Sequence, residues 1–355
     1  MKKDLLNTFI DLIKIDEIYG QENEVITYVT RTLNACGISV KQDKSKNLAA
    51  YIPGTGDSVM INTHLDIPES VPHLEYHIKG DIITGTGKSI LGADPKSGLA
   101  VLLVLAKHIT QNKIKTSPIE LVFTIGEEAG LIGASKLDYS LISSKIGLVI
   151  DEDGPCTSAV VQAPGYYRIN IEIEGKIVHP RDWRDGINAL EIAAHALASL
   201  PQGEIIPGVT FNVGLFSSVT ARNTVPGKAT LQAELRSFNT KKLVQQGKKV
   251  ETKFRKEAKK RSAKIKIESG LEFESYKLSK SHPLFKRLEK TYNTLALKPN
   301  YYPTFGGSDA NIFNAKGIMT IPIGSAYYNA HQYTEYVSIQ DMEDLLHFLC
   351  TFVKQ

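Results

Sequence analysis

Hydrophobic residues in the first half of the chain follow two kinds of pattern. Over residues 5–13 and 25–33 they recur every three or four positions, which predicts two amphipathic helices. Residues 97–109 form a third, strongly apolar helical segment. Short runs that are apolar nearly throughout lie at residues 48–52, 59–62, 119–125 and 148–150. Because strands that are buried on both faces read as continuous apolar runs, this alternation with helices predicts an α/β sandwich with a largely parallel sheet.

The pattern changes at about Gly165. Tyr167, Ile169 and Ile171 alternate with polar residues, as expected of a half-buried antiparallel strand. Further alternating strands are predicted near residues 210–215 and 228–236 and as a pair within 264–275, and helices at 187–200 and 240–261. Two helices on an antiparallel sheet make a small α+β unit.

The chain returns to its first pattern after about Ser279, with a helix at residues 284–295 and an apolar strand at 320–323. The simplest arrangement is one discontinuous domain, made of residues 1–164 and 279–355. An α+β domain of residues 165–278 is then inserted into it.

Composition places the chain among ordinary globular proteins. Of its 355 residues, 42% are hydrophobic and 23% charged, and the net charge is only +4. The three cysteines are scattered, which favours a reducing compartment over a disulfide framework. No signal peptide is recognisable, and no apolar run reaches the roughly 18 residues that span a bilayer. We therefore expect a cytoplasmic protein that has no membrane partner.

The longest basic run covers residues 253–266. Apolar positions at Val250, Phe254 and Ala258 predict a helix whose other face carries these charges into solvent. An interaction patch is the alternative interpretation. A weak net charge without a clear basic stripe predicts no nucleic-acid partner.

Acidic and imidazole side chains follow the buried strands directly. His64, Asp66, Glu127, Glu128 and Asp151 come at the ends of three apolar runs, at the sheet edge where α/β proteins bind ligands. Placing so many carboxylates together is costly unless a cation offsets their charge. Imidazole with carboxylate suits zinc, with manganese or cobalt as alternatives, whereas calcium prefers oxygen alone.

Two metal ions that share a carboxylate need about five ligands, and the strand-end set lacks some of them. The remaining candidates lie in the loop around Asp94 and in the C-terminal segment. A Gly-Thr-Gly-Lys-Ser segment at residues 85–89 resembles the end of a P-loop, but Ile82 stands where its first glycine is required.

Seven segments, in order along nearly the whole chain, resemble the M20 metallopeptidases, and within them the tripeptidase T-like branch. They are Thr-His-Leu-Asp (63–66), Gly-Ala-Asp-Pro-Lys-Ser-Gly (92–98), Gly-Glu-Glu-Ala-Gly (126–130), Asp151, Val-His-Pro (178–180), Gly-Gly-Ser-Asp (306–309) and His331. The resemblance implies a zinc-peptidase-like α/β/α catalytic domain, formed by residues 1–164 and 279–355. Residues 165–278 would be its inserted, ferredoxin-like α+β lid domain.

The resemblance also implies a metal centre with two zinc ions per chain. Asp94 would bridge the two ions, His64 and Asp151 would complete one site, and Glu128 and His331 the other. By the same resemblance the peptide bond before Pro95 is expected to be cis. Proline lowers the cost of a cis bond from about 2.5–4 kcal/mol to about 0.5–1 kcal/mol.

Two further carboxylates receive catalytic roles from the resemblance. Glu127 would be the general base that takes a proton from the metal-bridging water and returns it to the leaving amine. Asp66 would accept a hydrogen bond from His64 and so fix the tautomer of the ring. Alternatives remain open: Asp66 as a local turn cap, and Asp153 in place of Asp151 as a ligand.

The remaining assignments concern oxyanion stabilisation and substrate binding. The resemblance implies that His179 reaches the active site, from the same chain or a partner, to stabilise an oxyanion. Arg236 would bind a substrate carboxylate through its guanidinium fork. Asn212, Gly307 and Ser308 resemble substrate-lining positions. Each of these residues also has a purely structural interpretation as a loop, strand or surface residue.

The resulting expectation is a metal-dependent amide hydrolase, an aminopeptidase or tripeptidase that acts on short peptides. An M20-type N-acyl amino acid deacylase or carboxypeptidase is the alternative, since it shares the same metal chemistry. A non-catalytic binding protein is a further rival, but it predicts the loss of ligands that are all present. The lid domain also raises a homodimer as an expectation.

Overall fold

A computed structural model describes residues 1–354. Its helices are α1 (Lys2–Ile13), α2 (Asn23–Ala35), α3 (Ala93–Gln111), α4 (Ile132–Lys136), α5 (Ala189–Ala198), α6 (Thr240–Lys260), α7 (Pro283–Thr294), α8 (Asp309–Ala315) and α9 (Ile339–Val353). Two short 3-10 helices cover Tyr139–Leu141 and Pro180–Asp185. No helix within these residues is long and apolar enough to cross a membrane.

The strands are β1 (Val40–Gln42), β2 (Leu48–Ile52), β3 (Val59–His64), β4 (Tyr76–Lys79), β5 (Ile82–Gly85), β6 (Ile119–Thr124), β7 (Ile146–Glu152), β8 (Ser158–Ala163), β9 (Gly165–Glu174), β10 (Gly203–Ile206), β11 (Val209–Ser217), β12 (Lys228–Ser237), β13 (Lys264–Phe273), β14 (Tyr276–Lys277), β15 (Asn300–Pro303), β16 (Met319–Gly324), β17 (Tyr327–Tyr328) and β18 (Tyr336–Ser338). The chain divides into two units. The first comprises Met1–Val161, Lys277–Pro303 and the chain from Ser308 onwards, and the second Gln162–Tyr276 with Thr304–Gly307.

The first unit is built on a nine-stranded mixed sheet. Its strand order is β1-β2-β6-β3-β7-β16-β8-β14, and β15 pairs with β8. The four central strands β6, β3, β7 and β16 run parallel, whereas β2 and β8 join them in antiparallel orientation. Every residue of β3 and β6 is buried, as expected where helices cover both faces of a sheet. The predicted α/β class is confirmed, and the parallel part is confined to the centre.

Helix α3 fixes the geometry of the first unit beside this sheet. It contacts β3 and β7 as well as α1, α2 and α9. Gly98 allows the close approach, because a Cβ atom there would lie 2.9 Å from Ile150 Cγ2 and 3.0 Å from the Ile150 carbonyl oxygen. A separate antiparallel sheet, β17-β18-β5-β4, consists of short strands that the hydrophobic pattern did not predict.

The second unit is an antiparallel five-stranded sheet with two helices, in agreement with the predicted α+β lid fold. The strand order is β10-β11-β12-β9-β13, and α5 and α6 pack on it. Apolar residues alternate along β9 and form one buried core with Leu231 and Leu235 of β12. Phe254 of α6 belongs to the same core. The opposite face of the sheet is polar and half-buried.

One sequence expectation within this unit is wrong. Residues 264–275 were expected to form two strands, but Lys264–Phe273 is a single strand that pairs with β9 from Lys264 to Leu271 without interruption. Gly270 does not interrupt the strand. It lies opposite Arg168 within the ladder, in extended backbone, and does not form a turn.

Candidate metal centre

The central parallel strands bring three groups of polar residues to one edge of the sheet. β3 ends at His64, β6 is followed by Glu127 and Glu128, and β7 carries Asp151 near its end. β6, β3 and β7 are neighbours, and their parallel pairing places these carboxyl ends side by side. The edge is the one where ligands bind in open α/β sheets.

Asp94 reaches the same edge from the start of α3. Gly92 precedes it with φ 70°, and Asp94 itself has φ −83° and ψ 114°, which is not helical. The Asp94–Pro95 peptide bond is cis, as predicted. Asp94 is buried, with 6% of its surface exposed. A left-handed turn at Gly92, which lacks a Cβ atom, thus directs the Asp94 side chain towards the strand ends.

His331 comes from the loop between β17 and β18. Its backbone has φ 61°, and half of its side chain is exposed. The ring Nε2 lies 2.9 Å from Glu128 Oε1 and 3.6 Å from Asp94 Oδ2. One imidazole nitrogen therefore faces two carboxylates that belong to different elements.

His64 makes the equivalent arrangement on the other side of Asp94. Its Nε2 lies 3.0 Å from Asp94 Oδ1 and 3.1 Å from Asp151 Oδ1. Ligand atoms of His64, Asp94 and Asp151 lie within 4.8 Å of one another, and so do those of Asp94, Glu128 and His331. Two clusters, each with one imidazole and two carboxylates, thus share Asp94.

This donor set fits two divalent cations. Each cluster offers one imidazole nitrogen and carboxylate oxygens, which are ligand types that zinc accepts. A third grouping joins His64 with Glu127 and Glu128, so Glu127 lies beside the clusters without belonging to either of the first two. Asp153, the alternative to Asp151, is exposed and belongs to none of the three groupings.

Asp66 holds the backbone of the two glutamates. Its carboxylate accepts hydrogen bonds from the backbone N–H of Glu127 at 3.0 Å and of Glu128 at 3.1 Å. His64 Nδ1 lies 3.1 Å from the Asp66 carbonyl oxygen and 3.5 Å from its carboxylate. Because a carbonyl can only accept, Nδ1 carries a proton, and Nε2 is the ring nitrogen that faces the carboxylates of the cluster. The tautomer is thus set mainly by the backbone of Asp66.

The predicted lid residues lie in the second unit. His179 is exposed, and its Nδ1 accepts a hydrogen bond from the backbone N–H of Arg181 at 3.2 Å. Arg236 is half-buried and forms a bidentate pair with Glu234, at 3.0 Å from Nε and 3.1 Å from Nη2. Asn212 pairs with Glu234 across β11 and β12 and is exposed. Sequence reasoning did not anticipate that a carboxylate occupies part of the Arg236 fork.

The two remaining predicted residues are adjacent in the chain. Gly307 packs against Phe273 within the second unit, and a Cβ atom there would lie 2.4 Å from Phe273 Cζ. Ser308 begins α8 in the first unit and is buried. Its side chain accepts a hydrogen bond from the backbone of Asn311, and the Asn311 side chain accepts one in return from the Ser308 backbone. The Ser308 hydroxyl therefore already caps a helix.

Comparisons with known proteins agree with this geometry. A model of the M20 peptidase dimerisation domain matches residues 162–264, and a model of peptidase family M28 matches residues 47–159. A Staphylococcus aureus tripeptidase crystal structure matches with a TM-score of 0.91 and 29% identity, over 100% of this chain and 98% of that chain. Aminopeptidase PepT from Bacillus cereus matches with a TM-score of 0.85 and 28% identity, over 99% and 98%. Peptidase T of an Exiguobacterium species is 25% identical, over 84% of this chain and 75% of the relative.

The chain is a metal-dependent peptidase that is similar to the M20 peptidases, and to peptidase T among them. The predicted resemblance is thereby confirmed, and with it the class of metal-dependent peptidases. The identity of the metal rests on the donor chemistry described above.

Charges within the candidate metal centre of this peptidase shift the pKa values of its side chains. Burial opposes protonation of His64, but Asp151 and Asp94 outweigh it and hold the pKa of the ring well above its usual range. Hydrogen bonds to Asp94 and Glu128 raise the pKa of His331 to about 10. Burial raises the pKa of Asp151 to about 8, although His64 opposes this shift. Without cations, protons on these groups offset part of the clustered negative charge.

Glu127 also has a strongly shifted pKa. Burial raises its pKa well above the usual range, and the negative charges of Asp151, Glu128 and Asp309 add to the shift. Asp309 ends the Gly-Gly-Ser-Asp segment, which the sequence predicted to line the substrate, without a role in the electrostatics of Glu127. It is buried, and its carboxylate accepts a hydrogen bond from the Thr124 hydroxyl at the end of β6.

The peptidase should release protons when it takes up metal. At pH 7 the metal-free protein holds protons on His64, His331 and Asp151, because their pKa values are raised. Cations that bind to both clusters should together displace about two to three protons per chain. The apparent affinity should therefore increase with pH, through about 8 for Asp151 and towards about 10 for His331.

Calorimetric titration of the metal-free peptidase with zinc, in buffers that differ in ionisation enthalpy, measures this release. The variant His331→Ala should release about one proton fewer. A binding heat that does not depend on the buffer, together with an affinity that does not change with pH, would contradict the expectation.

Proposed function

We propose that the chain is a two-zinc exopeptidase that removes residues from the amino end of short peptides. The observation that carries the proposal is the pair of clusters that share Asp94, each with one imidazole and two carboxylates within 4.8 Å. The similarity to proteins described as a tripeptidase and as aminopeptidase PepT supports the substrate class. An N-acyl amino acid deacylase or carboxypeptidase has weaker support, because the two solved structures that are 29% and 28% identical over nearly the whole chain are described as a tripeptidase and an aminopeptidase.

We assign the ligands of the two ions as follows. His64, Asp94 and Asp151 would hold one zinc ion, and Asp94, Glu128 and His331 the other. When bound, the two ions would supply Lewis-acid polarisation of the scissile carbonyl and lower the pKa of the attacking water. Manganese and cobalt accept the same ligands and remain alternatives to zinc.

Glu127 is the proposed general base. Its raised pKa favours uptake of a proton at neutral pH, and the same carboxyl group can then protonate the leaving amine. The backbone N–H bonds to Asp66 hold Glu127 and Glu128 in fixed relative positions. Asp66 therefore acts on the reaction through the two glutamates and the His64 ring.

Substrate recognition is proposed for residues of the second unit. Arg236 has five N–H donors, of which Glu234 uses two and the Phe305 carbonyl oxygen uses one at 2.9 Å. Two donors remain for the carboxylate of a peptide. We further propose that Asn212 and Gly307 line the substrate and that His179 stabilises the oxyanion. Ser308 is also assigned to the substrate-lining set.

Hydrolysis of a panel of substrates tests the proposal directly. With zinc added, di- and tripeptides with free amino ends should be cleaved, whereas N-acyl amino acids should not. In the variant Glu127→Gln, kcat for a tripeptide should fall by about 100- to 10,000-fold, because the base that accepts the proton is lost. Elemental analysis should still find two metal ions per chain in that variant.

The matched control is Glu120→Gln, a buried glutamate at the opposite end of β6. It should leave kcat unchanged, which separates a catalytic effect from a loss of stability. Cleavage of N-acyl amino acids alone would refute the peptidase assignment. A Glu127→Gln variant that is fully active would remove Glu127 as the base.

Replacement of Arg236 should weaken the binding of peptides with a free carboxylate. In Arg236→Lys, KM for a tripeptide should increase about tenfold or more with little change in kcat, because a charge-assisted bidentate contact is lost. The corresponding tripeptide amide should be hydrolysed equally by both proteins. Arg168→Lys, on the neighbouring strand, is the control. Equal increases in KM for acid and amide would show that Arg236 does not bind the carboxylate.

We also propose that residues 1–164 and 279–355 form the catalytic domain and that residues 165–278 form a lid that pairs two chains. Support comes from the dimerisation-domain match and from the part of strand β11 that extends past its short neighbour β10. Within residues 1–354, its pairing with β10 ends at Phe211. Beyond this point Leu215 and Phe216 are 41% and 38% exposed. An unpaired apolar strand edge favours association with a second strand.

Lysine at this edge should prevent association. The variant Phe216→Lys should sediment as a monomer, whereas the parent chain sediments as a dimer, because a charged side chain opposes edge-to-edge pairing. Ile78→Lys, an equally exposed apolar residue on β4 of the first unit, is the control and should remain dimeric. A parent chain that is monomeric at micromolar concentration would overturn the proposed pairing.

A cytoplasmic location completes the proposal. Cys36, Cys156 and Cys350 are all free thiols, and two of them are buried. Free thiols are typical of reducing compartments.

A further inference from the structure

A buried carboxylate joins the two segments that supply Asp94 and His331. The His331 loop, defined here as residues 329–335, is closed by hydrogen bonds from Asn329 Nδ2 to the Thr334 carbonyl oxygen at 3.3 Å and from Glu335 N–H to the Gln332 carbonyl oxygen at 2.9 Å. The tip of this loop is exposed, but Glu335 at its end is only 1% exposed. The buried Glu335 side chain therefore fixes the C-terminal end of the loop to the rest of the first unit.

Glu335 accepts three backbone hydrogen bonds from the turn that precedes α3. Its Oε2 lies 2.7 Å from the N–H nitrogens of both Leu91 and Gly92, and its Oε1 lies 3.1 Å from that of Asp94. The left-handed backbone of Gly92, with φ 70°, makes these N–H groups converge. Both carboxylate oxygens are thus used, and the turn is held at three points.

The contacts connect parts of the chain that are more than 240 residues apart. Asp94 and His331 belong to the same cluster, in which His331 Nε2 lies 3.6 Å from Asp94 Oδ2. Glu335 lies four residues after His331 and bonds directly to the backbone of Asp94. The separation between these two side chains therefore depends on the Glu335 carboxylate.

Only a carboxylate of this length satisfies the turn. Glutamine has one acceptor oxygen, and its amide N–H2 would face backbone donors. Aspartate is shorter by one methylene and would not reach all three N–H groups from the same backbone position. Lys96, whose Nζ would lie 3.7 Å from a Cβ atom at Gly92, supplies the positive charge nearby.

We propose that Glu335 is a positioning residue of the metal centre: by binding the Asp94 turn to the His331 loop, it sets the spacing of two ligands in the cluster with Glu128. The inference rests on the proposed function, since it takes that cluster to be a metal site. Glu335 touches neither metal nor substrate and acts only through Asp94 and His331.

The chain contains a matched control for this role. Glu120 is also buried, at 6% exposure, and its two carboxylate oxygens accept backbone hydrogen bonds from Ser143 at 2.9 Å and Ser144 at 3.0 Å. It lies at the end of β6 opposite to the metal centre. Glu120→Gln and Glu335→Gln therefore remove the same kind of backbone contact, one away from the cluster and one beside it.

Cobalt titration of metal-free full-length protein provides the test. Co²⁺ is added to the parent chain, Glu335→Gln and Glu120→Gln, with stoichiometry and affinity measured by calorimetry and coordination geometry by visible absorption. In Glu335→Gln the weaker of the two binding events should lose about 10- to 100-fold in affinity, with a changed absorption spectrum. Glu120→Gln should match the parent in both measurements, even if both variants lose thermal stability.

The outcomes separate this inference from the proposed function. If the parent chain binds no Co²⁺, the proposed metal centre fails. If the parent binds two ions and Glu335→Gln binds them with the same affinity and spectrum, Glu335 has only a structural role and the inference is overturned. Should Glu335→Gln fail to fold, Glu335→Asp takes its place with the same expected loss. Parental affinity and spectrum in that variant would contradict the inference equally.

Discussion

Repulsion among buried carboxylates is the constraint on which the first unit depends. Asp94, Glu127, Glu128 and Asp151 lie together at one sheet edge with two imidazole rings among them. In water these groups would separate, but the folded chain holds them within a few ångströms of one another. Raised pKa values at Asp151 and Glu127 record the cost of this arrangement in the absence of cations. The surrounding fold has to supply the energy that keeps the groups in place.

The surrounding contacts meet this constraint with a second set of carboxylates. Asp66 and Glu335 accept hydrogen bonds from backbone N–H groups. The carboxylates of the metal centre, in contrast, face other titratable side chains. Each accepts hydrogen bonds from a segment that carries a candidate ligand, the Glu127–Glu128 turn in one case and the Asp94 turn in the other. Backbone N–H donors stabilise a carboxylate without adding another titratable group. The centre thus consists of acids that face one another and acids that fix the backbone.

The second unit follows a different physical plan. Its sheet buries one apolar face against α5 and α6, and the other face remains polar. On that polar face Arg236 is held by Glu234 and lies with its guanidinium 5.2 Å from the centre of the Tyr166 ring. Such contacts reduce the freedom of a long side chain before any ligand arrives, which lowers the entropic cost of binding. This face therefore presents an ordered guanidinium with two unused donors.

The sequence by itself determined the central strands of the first unit, the class of fold and the resemblance to the M20 peptidases, since apolar runs, strand-end acids and ordered motifs are local features. It also singled out the residues that the structure brings together around Asp94, because parallel strands place their ends at one edge. Only the tertiary structure decided which atoms meet: the carbonyl oxygen of Asp66 at the His64 ring, Glu234 in the fork of Arg236, and Glu335 at the Asp94 turn. Such contacts require atoms from segments far apart in the chain to be placed to within a few tenths of an ångström. Hydrophobic pattern and motif spacing do not encode those distances.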